Sequence, residues 1–154
     1  MIRALDLTDL PTAERVLAVQ RLAYAVEAEL IGFDGIPPLH EDLAALRSST
    51  EHWLGRYSDG ELVAAVAYEL PDADTVDISR LVVDPAQARR GHGRALLDHL
   101  DELEPRATSL VSTGTANVPA TTLYLARGYT ATGQVEIAPG VTITNFRRTR
   151  RPDR

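Results

Sequence analysis

The chain has 154 residues and contains neither cysteine nor lysine. Without cysteine there can be no disulfide, no thiolate nucleophile and no cysteine-held metal. Without lysine there is no Schiff-base amine and no Walker-type phosphate lysine. All 16 basic residues are arginine. The histidines His40, His52, His92 and His99 show no metal-ligand spacing, so no metal is expected. No apolar run approaches the roughly 18 residues of a membrane span. No apolar core follows Met1-Ile2-Arg3, so a signal peptide is not expected, and a cytoplasmic location with no membrane partner is. The net charge of −6 argues against a general nucleic-acid binder.

What is present reads as an ordinary globular chain, 44% hydrophobic and 25% charged. Its length suits one domain, residues 1–154. Ile2 to Leu7 suits a short strand. Thr8 or Asp9 can cap a helix, with Pro11 in its first turn, and Val16, Val19, Ala23, Val26 and Leu30 recur at helical spacing to about Ile31. Gly32 to Pro38 breaks that helix, and a shorter one is expected over Leu39 to Arg47. Strands are expected over His52 to Tyr57, Glu61 to Leu70 and Thr75 to Val83, the first two joined by the hairpin signal Ser58-Asp59-Gly60. A helix from about Gly91 stops at Glu104-Pro105. A strand over Ser109 to Thr113, a helix capped by Asn117 and ended near Gly128, and a hairpin turning at Pro139-Gly140 complete a mixed α/β order.

The segment Leu81 to Leu97, LVVDPAQARRGHGRALL, carries the most chemical information. A strand, a glycine turn and a helix N-terminus make an anion site, because free backbone N–H groups and the helix dipole converge there. A dinucleotide fingerprint needs a third glycine, which Arg94-Ala95-Leu96 does not supply. A P-loop needs lysine.

The residues instead resemble the GNAT superfamily of acetyl-coenzyme A-dependent N-acetyltransferases. Ile78 to Pro85 looks like the family's fourth strand. The family signature is Gln or Arg, two residues, Gly, one residue, then Gly or Ala, and it falls on Ala88-Arg89-Arg90-Gly91-His92-Gly93. Ala88 departs from the pattern. A second segment, Asn117 to Tyr129, is similar to the family's N-x-x-A-x-x-L-Y-x-x-x-G-[FY] and agrees at every fixed position. The element order matches over nearly the whole chain. The resemblance implies a mostly antiparallel central sheet, flanked by helices, whose parallel fourth and fifth strands splay apart.

It also implies acetyl-CoA as cosubstrate and places roles on residues. The backbone of Leu81, Val82 and Val83 would meet the acetyl carbonyl and pantetheine arm, in a strand that bulges. Arg89, Arg90, Gly91, His92, Gly93 and Arg94 would hold the pyrophosphate, His92 through its N–H. Tyr124 would face the thioester sulfur as general acid, and Asn117 would hydrogen-bond the pantetheine or a bound water, a role that its reading as a helix cap does not exclude. For the base, or for holding a water in its place, the candidates are Asp77 and Ser79, alternating onto one face with Leu81 following unless a bulge shifts the phase, and Glu69. With no cysteine, a cysteine-bound acyl intermediate is impossible, so direct transfer in a ternary complex is expected.

The acceptor is expected near Ile31 to Asp42, with Phe33 and His40 as candidate contacts. Glu27, Glu29, Asp34, Glu41 and Asp42 would make that wall acidic and suited to a cationic amine. The expected acceptor is a small-molecule amine. A protein or peptide amine, or a non-catalytic acyl-CoA-binding module, are the alternatives. The family's frequent dimers leave a homodimer open. The run Arg147 to Arg154 reads as a solvated tail.

Overall fold

The computed structural model describes residues 1–150. One seven-stranded sheet has the order β1-β2-β3-β4-β5-β7-β6. The strands are β1 (Ile2–Ala4), β2 (His52–Ser58), β3 (Glu61–Asp72), β4 (Thr75–Val83), β5 (Thr108–Gly114), β6 (Thr130–Ala138) and β7 (Val141–Thr149). Neighbours run antiparallel except β4 and β5. The helices are α1 (Leu10–Ile31), α2 (Pro37–His40), α3 (Leu43–Arg47), α4 (His92–Leu103) and α5 (Val118–Ala126). Among the described residues no helix is long and apolar enough to cross a membrane.

Local chemistry sets these boundaries. The Asp9 carboxylate accepts from the Thr12 N–H at 3.3 Å, and Gly32, left-handed at φ 68°, ends α1. Asp59 (φ 52°) and Gly60 (φ 77°) adopt the left-handed pair that a tight β2–β3 hairpin requires. The single helix expected over Leu39 to Arg47 is instead two. Asp42 caps α3 through the Ala45 N–H at 2.8 Å, and Glu41 stays extended, its carboxylate turned inward. The first strand stops at Ala4, short of Leu7, whereas β3 and β7 run longer than their apolar cores.

The sheet has a core on each face. On one side α4 and α5 pack Leu96, Leu97, Leu100 and Tyr124 against Val66, Ile78, Val111 and Phe146. On the other, α1 and α3 pack Val16, Val19 and Leu46 against Trp53, Ala65 and Val82. Burial of these side chains supplies the main stabilisation, about 1.5–3 kcal/mol for each large one.

Strand β4 changes phase partway along. Ala67 pairs Arg80 and Tyr68 pairs Ile78, which leaves Ser79 as an extra residue. Before it, Val76 and Ile78 face the α4 side; after it, Leu81 and Val83 do, while Val82 faces α1. The simple alternation that would align Asp77, Ser79 and Leu81 is therefore broken by a bulge.

The C-terminal arginines are not a free tail up to Arg150. Arg148 forks onto Asp101 at 2.7 and 2.9 Å. Arg150 donates to the carbonyls of Arg106 at 3.2 Å and Asp101 at 3.0 Å, and its N–H to Ala107 at 2.8 Å. Residues 151–154 of that run lie outside the described residues.

Candidate active site

Parallel pairing of β4 and β5 runs from Thr75–Thr108 to Ile78–Val111 and then stops. Beyond it the strands part, so the β5-facing backbone of Ser79 to Val83 has no strand partner on that side. The gap opens into two cavities. A groove of about 490 Å³ runs between the end of β4, the start of α4 and the Asn117–Tyr124 segment. A chamber of about 300 Å³ lies under the α1–α2 connection and the β6–β7 hairpin. Tyr24, Glu27, Leu81, Asn117, Ala120 and Tyr124 line both, so the cavities share a wall.

The groove fits an anionic, elongated ligand. Arg89 (φ 64°) and Gly91 (φ 77°) turn the chain left-handed at its end, and Gly91 offers α4 no side-chain cap. The first N–H groups of α4 lack intrahelical partners and are left for a ligand. Gly93 keeps the floor open above Leu81, Val83 and Leu123. The Arg89 and Arg94 side chains, both exposed, add positive charge. Asp84 braces this turn, accepting from the Ala86 N–H at 2.9 Å and from Arg15 at 3.3 Å.

The expected donor-site residues fall along this groove. Leu81, Val82, Val83, Gly91 and Gly93 line it. His92 does too, but its imidazole is buried and receives the Arg56 Nε–H at 3.4 Å. Burial, then the Arg56 and Arg90 charges, holds its pKa below the usual histidine range. Arg90 is not in the lining; its guanidinium donates to Gln87 at 3.0 Å. Ala88 lines the groove without a polar group.

Tyr124 sits where the cavities meet. Its ring is buried against Tyr129 and Phe146, with centroids 5.8 and 5.7 Å away. Burial, then Tyr24 and Glu27, raises its phenol well above the ordinary range, so the hydroxyl stays protonated. Asn117 caps α5 through the Ala120 N–H at 3.3 Å and also lines both cavities.

The other candidates are scattered. Ser79 lines the chamber, but its hydroxyl donates to Glu51 and to the Ala67 carbonyl. Asp77 and Glu69 face each other across β3 and β4 and line neither cavity, although burial raises the Asp77 pKa. Phe33 belongs to a separate shallow hollow with Gly32, Asp34 and Leu39. His40 bonds the Asp34 carbonyl at 2.5 Å and lines none of these cavities.

The expected acidic wall reduces to one carboxylate. Glu41 is consumed by Arg80 at 2.6 Å, Asp42 by its cap, and Glu29 and Asp34 lie on the separate hollow. Arg80 itself, a residue that sequence reasoning passed over, is held on both sides. Glu41 and Glu51 each take two of its bonds, Gln20 accepts a fifth at 3.0 Å, and Trp53 stacks 5.3 Å away. Burial would raise the Glu41 pKa, but the Arg80 and Gln20 hydrogen bonds lower it. Tyr24 was also missed. The signal was present: Tyr24, Glu27 and Ile31 recur at i, i+3 and i+7 on one face of α1.

The model of the acetyltransferase (GNAT) family matches residues 18–129. The UPF0157 protein YqkA of Bacillus subtilis is 37% identical over 95% of this chain, which spans 43% of that protein's length. The ribosomal protein bS18-alanine N-acetyltransferase of Escherichia coli is 31% identical over 83% of this chain and 79% of its own. The fold is shared with the PaiA N-acetyltransferase of Thermoplasma acidophilum, solved with coenzyme A, at TM-score 0.76 and 14% identity over 97% of this chain and 98% of that one. The splayed β4–β5 pair, the uncapped glycine turn and these matches agree: the chain belongs to the acetyltransferase (GNAT) family.

Proposed function

We propose that this chain transfers the acetyl group of acetyl-CoA to the primary amine of a small molecule, directly within a ternary complex. The observation that carries the reading is the meeting of an arginine-lined groove and a compact chamber at one buried tyrosine. Two substrates, one from each side, can meet there without a covalent enzyme intermediate.

Acetyl-CoA supplies a thioester carbonyl open to attack by an amine. The chain's residues do the rest. The α4 N-terminus, with Arg89, Gly91, Gly93 and Arg94, holds the pyrophosphate. The unpaired backbone of Leu81 to Val83 positions the pantetheine arm and polarises the acetyl carbonyl. Asn117 orients the arm beside α5. Tyr124 keeps its proton at neutral pH and donates it to the departing sulfur. We read residues 1–154 as one acetyltransferase domain, and the longer YqkA implies that such a domain also occurs joined to further sequence.

The 31% identity to an alanine N-acetyltransferase favours a second reading, in which the amine is a peptide N-terminus. The mycothiol acetyltransferase of Thermomonospora curvata, 38% identical over 65% of this chain and 33% of its own length, stands on the small-molecule side. Thiol release from acetyl-CoA, followed with panels of small amines and of peptides, separates the two. Turnover with small amines is the expected result; turnover with peptides alone transfers the conclusion to the second reading. Binding of CoA with no thiol release on either panel would leave a binding module.

A further inference from the structure

The chamber carries a specificity signal of its own, resting on the acetyltransferase reading above. We propose that the Glu27 carboxylate seats the ammonium of the acceptor and takes its proton, and that the acceptor is a singly charged primary amine on a compact apolar body.

Glu27 lies in the wall shared by groove and chamber. Its Oε1 accepts from the Gly114 N–H at 3.1 Å and from the Thr113 hydroxyl at 3.2 Å. Among the described residues, Oε2 receives no hydrogen bond and Glu27 has no cationic partner. The other charged group lining the chamber, Arg80, is already paired with both Glu41 and Glu51. The remaining walls are largely apolar: Ile31, Ile36, Pro37, Pro38, Ile137 and Ile143. Glu27 is therefore the one carboxylate in the chamber's lining, and it has no cationic partner among the described residues.

That arrangement selects its ligand physically. A part-buried carboxylate is costly without a counter-charge, and an ammonium supplies one. A second positive charge would be stranded against isoleucine and proline, and a carboxylate beside the amine would be repelled by Glu27.

The protons balance. Glu27 takes one proton from the ammonium and passes it to solvent. The neutral nitrogen forms its bond to the carbonyl carbon. As the carbon–sulfur bond breaks, the sulfur takes the Tyr124 proton, and the second proton leaving the nitrogen restores Tyr124. The products are an amide, a free thiol and one released proton.

The competing role for Glu27 is a tether that holds α1 over the end of β5. Glu27→Gln separates the two, because an amide oxygen still accepts from Gly114 and Thr113 but has no charge and takes no proton. The full chain and this variant are assayed by thiol release with 2-phenylethylamine, spermidine and leucine across pH. The expected result is highest wild-type kcat/KM for phenylethylamine. In Glu27→Gln that value falls about 100-fold and the acidic limb of its pH profile disappears, with Tm and the KM for acetyl-CoA little changed. An unaltered pH profile and kcat/KM in Glu27→Gln would reduce Glu27 to a tether and overturn the assignment. A wild-type preference for spermidine or leucine would overturn the apolar, singly charged acceptor. If the wild type turns over peptides alone, the small-molecule reading falls while Glu27→Gln still tests the seat. If no amine or peptide releases thiol, the acetyltransferase reading falls and this inference with it.

Discussion

Tyr124 is buried and lies in the lining of both cavities. Its raised pKa means that it does not lose its proton anywhere near neutral pH, and an alkaline loss of rate should not be assigned to it. Replacing Tyr124 by Phe keeps the packing on Tyr129 and Phe146 and removes the donor. We expect kcat to fall about 100-fold or more with little change in the KM for acetyl-CoA, measured by steady-state thiol release. An unchanged kcat would remove the general-acid role. A second residue-scale prediction concerns Asp101, which binds Arg148 twice and Arg127 at 2.7 Å. Burial would raise its pKa, but the Arg148 and Arg127 bonds win and lower it below 3.8. The unfolded chain then takes up the proton first as pH falls. Asp101 therefore stabilises the fold above about pH 3.8, and that contribution fades as pH drops towards the lower folded value. Asp101→Asn should cost about 2–3 kcal/mol at neutral pH and flatten the acid dependence of denaturant unfolding. Adding Arg148→Ala should cost less than the sum of the single effects, because the pair shares its hydrogen bonds.

At the scale of elements, α1 is fixed against β5 by a close approach. A Cβ on Gly114 would collide with the Ile31 methyl and come within 3.3 Å of the Glu27 carboxylate. Gly114→Ala should therefore push the last turn of α1 outward. We expect a loss of about 1–3 kcal/mol in chemical unfolding and a higher KM for the amine than for acetyl-CoA. A neutral outcome in both would show that α1 is free to shift. The elements differ in how plainly the sequence announced them. Asp9, Asn117 and the Asp59-Gly60 turn mark their boundaries locally, through caps and backbone sign, and could be read directly. The split of the second helix could not. It depends on Glu41 leaving the helix to reach Arg80, a partner 39 residues away. The Ser79 bulge was equally hidden, because it is a matter of pairing with β3 and not of any residue preference.

For the molecule as a whole, the groove was legible because most of its parts are contiguous: a strand end, a glycine turn and a helix start lie within one stretch. The chamber draws on α1, β4, β5, α5 and the last hairpin, so no stretch of sequence spells it out. That is why Phe33 and His40 looked suitable and why Tyr24 and Arg80 went unnoticed. The donor groove also makes a test at this scale. A ligand that binds only the folded chain stabilises it by about 2.7 kcal/mol at a hundredfold excess over its Kd. CoA should raise Tm by several degrees in a thermal scan, and Arg89→Ala with Arg94→Ala should shrink that rise without moving the unliganded Tm. No CoA-dependent shift would dismiss the groove as the donor site.

The bulge at Ser79 has one further consequence. It acts as a frame-shift in three dimensions: even-numbered residues before it and odd-numbered residues after it share the α4 face of the sheet. Were Ser79 kept but paired regularly with β3, Val82 would turn towards the groove and Leu81 into the α1 core; deleting Ser79 would remove the bulge and leave both on their present faces. That one unpaired residue thus decides which side chains of β4 line the groove.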